Sequence, residues 1–300
     1  MLSVDRLRTL HAIAAHGSLN GAAEALHVTS SAVSQQLSKL EREVGQSLVE
    51  RNGRGVRLTE AARILVEHTG QILSLVQQAE AAVESHRGEI VGTLELSSFA
   101  SGARGLVTPA LALLAQAHPK LRVHLSELEP DDSIPAVARG DSDIALAVDW
   151  EGSPIALPKS MVKAPIMVDV ADVALPASHP LAHRELLELD EVVAEPWISW
   201  GKGSICHDWL EGVLRARGIE PTIAHSVEEH QTKLTMIAAG LGAAVMPRLG
   251  LGPVPEGVRL VPVQPALVRQ VFAFWRKDAA RRPAITAAVR KLREAAAEHG

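Results

Sequence analysis

Reactive side chains are plentiful in these 300 residues, but few are spaced for catalysis. His179 and His183 stand four apart with Pro180 between them, and no Cys or carboxylate lies at metal-ligand spacing, so no metal is expected. Cys206 and His207 are neighbours, and adjacent side chains diverge on a helix. No G-x-S-x-G elbow occurs. Gly240 and Gly242 follow a helix pattern and precede a strand pattern, the reverse of the order that cradles a phosphate. No catalytic residue and no cofactor are assigned, and the sequence is read as a non-enzyme. The chemistry it does support is recognition of a polyanion. Arg51, Arg54 and Arg57 flank Gly53 and Gly55 with no acidic residue after Glu50, so a tight turn would present three guanidinium groups together.

The elements before this turn would position a second recognition surface. Leu7, Leu10, Ile13 and Ala14 share one helix face, which Gly17 ends, and Ser18 can cap the next helix. Leu19, Ala22, Ala23 and Leu26 mark that helix; a turn at His27 and Val28 follows, and Thr29 or Ser30 can cap a third. In the third helix Val33, Leu37, Leu40 and Val44 point inward. Ser31, Ser34, Gln35, Ser38 and Arg42 are left outward. Serine hydroxyls and a glutamine amide can read base edges in a major groove, although an ordinary solvated face has the same composition.

Composition sets the bounds. With 47% hydrophobic residues the chain can bury about two domains. Its net charge of −5 requires any nucleic-acid contact to come from a local basic patch, which the arginine turn supplies. A single cysteine excludes an internal disulfide and fits a reducing cytoplasm. Neither a signal peptide nor a membrane span is expected, since apolar runs such as Ile144 to Val148 are short.

The segments HVTSSAVSQQLSKL, from His27, and LEREVGQSLVERNGRGVRLTEAA, from Leu40, resemble the LysR-type DNA-binding signature in order and spacing. The resemblance implies a winged helix-turn-helix on double-stranded DNA, with contacts at Ser30, Ser31, Ser34, Gln35 and Ser38 and backbone contacts from Arg51, Arg54 and Arg57. Ser30 and Gln35 stand where similar proteins often carry Gln and Arg, and Val49 and Ala62 where they often carry Phe and Gly.

From Glu60 to about His86 a long helix is expected, with Leu65, His68, Ile72, Leu75, Ala79 and Ala82 as a heptad-like seam. The resemblance implies pairing through it to a homodimer or homotetramer; packing on its own chain is the alternative. Beyond Arg87, Gly88 and Gly92, strand and helix patterns alternate: Leu94 and Leu96, then Leu106 to Leu114, Leu121 to Leu125, Ile134 to Ala138, and Ile144 to Val148. A second α/β unit runs from about Ala171 to Pro265, and a terminal helix opens at Pro283. VALPASHPLA, from Val173, and MIAAGLGAAVMPRLG, from Met236, resemble the LysR effector domain, which is similar to type II periplasmic binding proteins.

The expected architecture is therefore α/β: a winged helix-turn-helix at 1–60, a linker helix at 61–88 and an effector domain at 89–300. Within the last, lobe I spans about 89–168 and 268–300 and lobe II about 169–267, with chain crossings near Pro165 to Asp172 and Pro265 to Val271. Residues at strand ends before helix starts would hold a small, anionic effector: Ser98, Ser101 and Arg104 on one lobe, and Ser199, Trp200, Gly201, His230 and Gln231 on the other. Capping is the competing role for such serines. RNA polymerase is a further partner that such a regulator could engage. Cys206 lies near a helix start that could favour its thiolate, but with no second cysteine a structural role is the better reading.

Overall fold

Three short helices open the chain: α1 (Val4–His16), α2 (Leu19–Ala25) and α3 (Ser30–Val44). The computed structural model describes residues 2–26, 28–52, 55–85, 90–218 and 220–298, so His27, Gly53, Arg54, Arg87 and Gly88 lie outside the described residues. Gly17 adopts a left-handed φ of 64° at the end of α1, where a β-carbon would be strained. Ser18 Oγ accepts from the Gly21 amide at 3.0 Å, and Thr29 Oγ1 from the Ala32 amide at 3.2 Å. Thr29, rather than Ser30, is therefore the cap of α3. Leu7, Leu10, Ile13, Val33, Leu37 and Leu40 converge in one buried core. The hairpin of β1 (Val49–Asn52) and β2 (Gly55–Leu58) docks on it, with the Val56 amide donating to the Gly17 carbonyl.

Helix α4 (Glu60–Ser85) corrects part of the expected seam. Leu65 and Ile72 turn inward against the core of α1–α3. Burying them there is favourable at about 25 cal/mol per Å², and it shifts the free stripe of the helix. Ile64, His68, Leu75, Ala79 and Val83 are exposed, and the Ala82 side chain lies outside what is described.

After α4 the sheet begins. β3 (Gly92–Ser98) leads into α5 (Ala100–Gly102), a π-turn (Ala103–Val107) and α6 (Thr108–Ala117), followed by β4 (Leu121–Glu127), α7 (Pro130–Arg139) and β5 (Ile144–Trp150). β3 pairs in parallel with both β4 and β5. The helix thus starts at Ala100 rather than near Leu106. Pro109 has no amide to close an ordinary turn onto Gly105, and the ladder widens just before it.

The second half adds β6 (Met161–Pro176), β7 (Leu187–Glu188), β8 (Pro196–Ser199), α8 (Ile205–Arg215), β9 (Thr222–Ser226), α9 (His230–Ala238) and β10 (Ala244–Pro247). β11 (Val258–Val261), β12 (Val263–Gln264), β13 (Leu267–Arg276) and α10 (Pro283–Ala297) complete it. The strand order β10-β6-β13-β5-β3-β4 makes one continuous sheet, with β11 also on β6. β6 and β13 run antiparallel and pass between two cores. Ala164, Ala273 and Trp275 join the core of β3, α6 and α10, whereas Ala171, Val173 and Leu267 join that of Trp197, Leu210 and Val245. These are the two lobes, and α10 returns to the first.

Close contacts of α4 and α1 tie the helix-turn-helix to this sheet domain. A β-carbon on Gly70 of α4 would lie 1.5 Å from the Arg139 carbonyl oxygen at the end of α7, and one on Gly140 only 2.7 Å from the Gly70 carbonyl. Such backbone approach is open only to glycine. Beside it, His11 Nε2 of α1 lies 2.8 Å from Asp141 Oδ1, and Arg139 Nε donates to the other carboxylate oxygen at 2.8 Å. Burial raises the Asp141 pKa, but the bonds from His11 and Arg139 outweigh it and hold the carboxyl below its usual range.

Candidate nucleic-acid interface and ligand cleft

Packing Val33, Leu37 and Leu40 inward leaves Ser30, Ser31, Ser34, Gln35 and Ser38 exposed along one side of α3. Ser30 Oγ donates to Asn20 Oδ1 of α2 at 2.8 Å, which fixes the start of α3 against the preceding helix. Arg42 Nε donates to the Ser38 carbonyl at 3.2 Å. On the hairpin, Arg57 is exposed and stands across from Glu50, 3.4 Å from its carboxylate. That exposed pair is weak and leaves the guanidinium free to exchange its partner for a phosphate. Arg51 belongs to β1, though its side chain is outside what is described, and Arg54 falls wholly outside it.

Between the lobes, a cavity of about 400 Å³ is lined by Arg104, Glu127, Glu129, Asp132, Glu228 and His230, among others. Arg104 Nε donates to the Gly250 carbonyl at 2.6 Å and its Nη2 lies 3.4 Å from His230 Nδ1. Burial, with the nearby cations Lys233, Arg104 and Arg269, pushes the His230 pKa down to about 3, so the ring is a neutral acceptor. Trp200 is 8% exposed and lines a narrower extension with Cys206, Glu129 and Glu228. Gly201 is held close to the Glu228 carboxylate, 2.8 Å from where its β-carbon would be. The Gln231 amide packs on Gly252 in the same way.

The serines are turned elsewhere. Ser98 is fully buried and its hydroxyl donates to the Phe99 carbonyl at 3.1 Å. Ser101 lies inside the helix, not before it, and accepts from Arg269 Nη2 at 3.0 Å. Ser199, also fully buried, lies 3.1 Å from His207 Nδ1. Arg269 in turn forms a buried pair with Asp169, 2.7 Å, whose other oxygen accepts from the Leu249 amide at 3.0 Å. Both residues sit on the crossing strands β13 and β6, so the lobes meet over a fully engaged charge network.

Sequence reasoning missed the carboxylates and one lysine. Glu129 stands at the N-terminal boundary of α7, its side chain bonding the Ala100 amide rather than its own helix, and Glu229 caps α9 by accepting from the Gln231 and Thr232 amides. Burial first, then Glu228, raises the Glu129 pKa. Lys233 is fully buried with its Nζ 3.6 Å above the Trp200 ring, and burial lowers its pKa to about 7. The spacing of His230, Lys233, Leu234 and Ile237 puts Lys233 on the inward face of α9, a legible but unread signal. Cys206 accepts from Trp150 Nε1 at 3.4 Å, and burial pushes its thiol pKa up rather than down. Burial thus outweighs the pull of the helix start toward a thiolate, which fits the structural role read for Cys206 from the sequence.

A polar recognition helix with a basic hairpin, joined to two lobes around a cleft, defines a ligand-responsive DNA-binding regulator. Two family models match the chain: the bacterial regulatory helix-turn-helix protein, lysR family, over residues 4–63, and the LysR substrate binding domain over residues 87–297. The chain belongs to the LysR family of transcriptional regulators. It is 28% identical to the uncharacterized HTH-type transcriptional regulator YnfL of Escherichia coli, over 94% of this chain and 95% of that protein. It is also 28% identical to the regulator TtuA of Agrobacterium vitis, over 87% of this chain and 86% of the relative. In fold it is similar to a full-length OxyR variant from Pseudomonas aeruginosa, with a TM-score of 0.75 at 20% identity over 98% of both chains. The same holds for full-length CbnR complexed with its target DNA, with a TM-score of 0.68 at 20% identity over 98% of this chain and 100% of that one. The chain is a DNA-binding transcriptional regulator modulated by a small-molecule effector, and not an enzyme.

Proposed function

We propose that α3 enters the major groove, with Ser34 and Gln35 reading bases, Ser30, Ser31 and Ser38 on the groove walls, and Arg51, Arg54 and Arg57 on phosphates. The observation that supports it is the alignment of five small or amide side chains on the free side of a helix whose other side is locked into a core. The functional units follow the same division: a head at 1–60, a linker at 61–88 and an effector domain at 89–300, with lobes at about 89–168 plus 268–300 and at 169–267.

The exposed Ile64, Leu75 and Val83 on α4 support a homodimer or homotetramer paired through this helix, acting in the cytoplasm on pseudo-palindromic sites. The bound assembly is a candidate to recruit RNA polymerase. An effector with an anionic group enters the cleft near Arg104, Trp200, Gly201, His230 and Gln231. Ser98, Ser101 and Ser199 support the cleft from behind through their enclosed hydroxyls. Helix α7 then links the sites: Glu129 precedes its first turn in the cleft, and its far end meets Gly70 and His11, about 15 Å away at 1.5 Å per residue.

The test compares Gln35→Ala with Arg57→Ala on the protein's own promoter fragment and on scrambled DNA. Gln35→Ala is expected to cost about 1–3 kcal/mol on the promoter only, and Arg57→Ala to weaken both DNAs and flatten the salt slope by about one unit. Equal losses on both DNAs for Gln35→Ala would refute base reading.

A further inference from the structure

The cleft carries two opposite electrostatic deficits side by side. Glu127, Glu129, Asp132 and Glu228 crowd its mouth against one guanidinium, Arg104, which is engaged by the Gly250 carbonyl, and a neutral His230. Glu229 is committed to capping α9, whereas Glu129 is half-buried and its ionisation is opposed by burial and by Glu228. Glu129 accepts from the Ala100 amide and Glu228 is exposed, yet the carboxylates of the mouth outnumber the one cation lining it, and that excess favours an incoming cation.

Deeper in, the deficit reverses. Lys233 Nζ is fully buried and has no hydrogen-bond acceptor. Its surroundings are the Trp200 ring, 3.6 Å away, and the charges or dipoles of Cys206, Glu228 and Glu129. Trp200, Cys206, Glu129 and Glu228 also line the narrow extension of the cavity, so the groups nearest the ammonium form the wall of that space, with the Trp200 ring against Nζ. Trp150 stacks on Trp209 at 3.7 Å and meets Trp200 edge-on at 6.4 Å, forming an apolar wall. A buried ammonium without an acceptor is costly, and the fixed partner it lacks is an oxyanion.

Resting on the reading of this cleft as the effector site, we propose that the effector is a small amino acid. Its ammonium lies between Glu129 and Glu228, and its carboxylate accepts from Lys233 Nζ. A plain amine would leave Lys233 without an acceptor and place a second cation beside it. A plain acid would satisfy Lys233 but leave the carboxylates of the mouth unpaired. Only an amphoteric ligand removes both deficits. The Trp200 ring covers Nζ, so entry of the carboxylate turns the ring aside and changes tryptophan fluorescence.

The experiment titrates the full chain with the twenty protein amino acids and γ-aminobutyrate, reading fluorescence and thermal midpoint. Each compound is matched with its decarboxylated amine and its deaminated acid. The expected result is at least one amino acid binding tenfold or more tighter than either single-charge analogue, with a tenfold loss in Glu129→Gln, Glu228→Gln and Lys233→Met. The exposed Glu228 keeps the test informative should a buried variant fail to fold. If no amino acid binds, or an analogue binds as tightly as its parent, the proposal is overturned. Promoter binding by the same preparation separates the two readings. Intact DNA binding without an amino-acid response removes this inference alone, and absent DNA binding removes the regulator reading beneath it.

Discussion

Gly70→Ala should pry the DNA-binding head from the effector domain without unfolding either. The added methyl carbon would lie 1.5 Å from the Arg139 carbonyl oxygen. Contact near 3.5 Å requires α4 and α7 to separate by about 2 Å. The His11–Asp141 contact, 2.8 Å in the intact protein, would then stretch beyond hydrogen-bond range. Those side chains are 26% and 31% exposed, so after solvent screening the pair contributes about 1 kcal/mol. Overpacking adds a further cost of about 1–3 kcal/mol. The informative quantity is the coupling, read from calorimetric unfolding of wild type, Gly70→Ala, His11→Ala and the double variant. His11→Ala should cost about 1 kcal/mol in wild type and almost nothing once Gly70 carries a methyl. Strictly additive costs would show that the Gly70 approach and the His11 bond are independent, and the mechanical link through α7 would fail.

Other outcomes follow from the same geometry. Arg269→Met strands a buried carboxylate at Asp169 and should cost about 3–5 kcal/mol, roughly 6–20 °C in thermal midpoint, while Arg269→Met with Asp169→Leu recovers most of it. An unchanged midpoint in the single variant would mean that the pair is not needed. Lys233, with its pKa lowered from 10.5 to about 7, binds fewer protons folded than unfolded between those values. Its contribution to stability therefore grows as pH rises from about 7 to 10.5 and is lost as pH falls through 7, by up to about 1.4 kcal/mol per pH unit. Lys233→Met should flatten that slope in denaturant titrations, and parallel curves would contradict the buried ammonium. Leu75→Glu with Val83→Glu should lower the mass seen by light scattering; an unchanged oligomer would place the interface elsewhere.

Local signals made the head legible. Gly17, Ser18 and Thr29 punctuate α1–α3 through chain-local chemistry, and the steps from Val33 to Leu40 fix which side of α3 stays free. The α/β alternation was equally readable from runs such as Ile144 to Val148. What escaped depends on distant partners. Leu65 and Ile72 satisfy a seam pattern, yet a core built from residues 7 to 62 captures them. Serines at strand ends suggested a ligand, but Arg269 and His207, far along the chain or across a turn, consume Ser101 and Ser199. Glu129 and Glu228 went unassigned because nothing in sequence brings residues 99 positions apart into one pocket.

The most direct test of the central claim is footprinting of the purified protein on the DNA upstream of its own gene, with and without bound effector. A dimeric regulator with one α3 per subunit is expected to protect two half-sites about one helical turn apart, roughly 10 base pairs, and to change that pattern when the cleft is filled. Uniform, salt-sensitive coverage with no preferred site, or no protection at all, would contradict it.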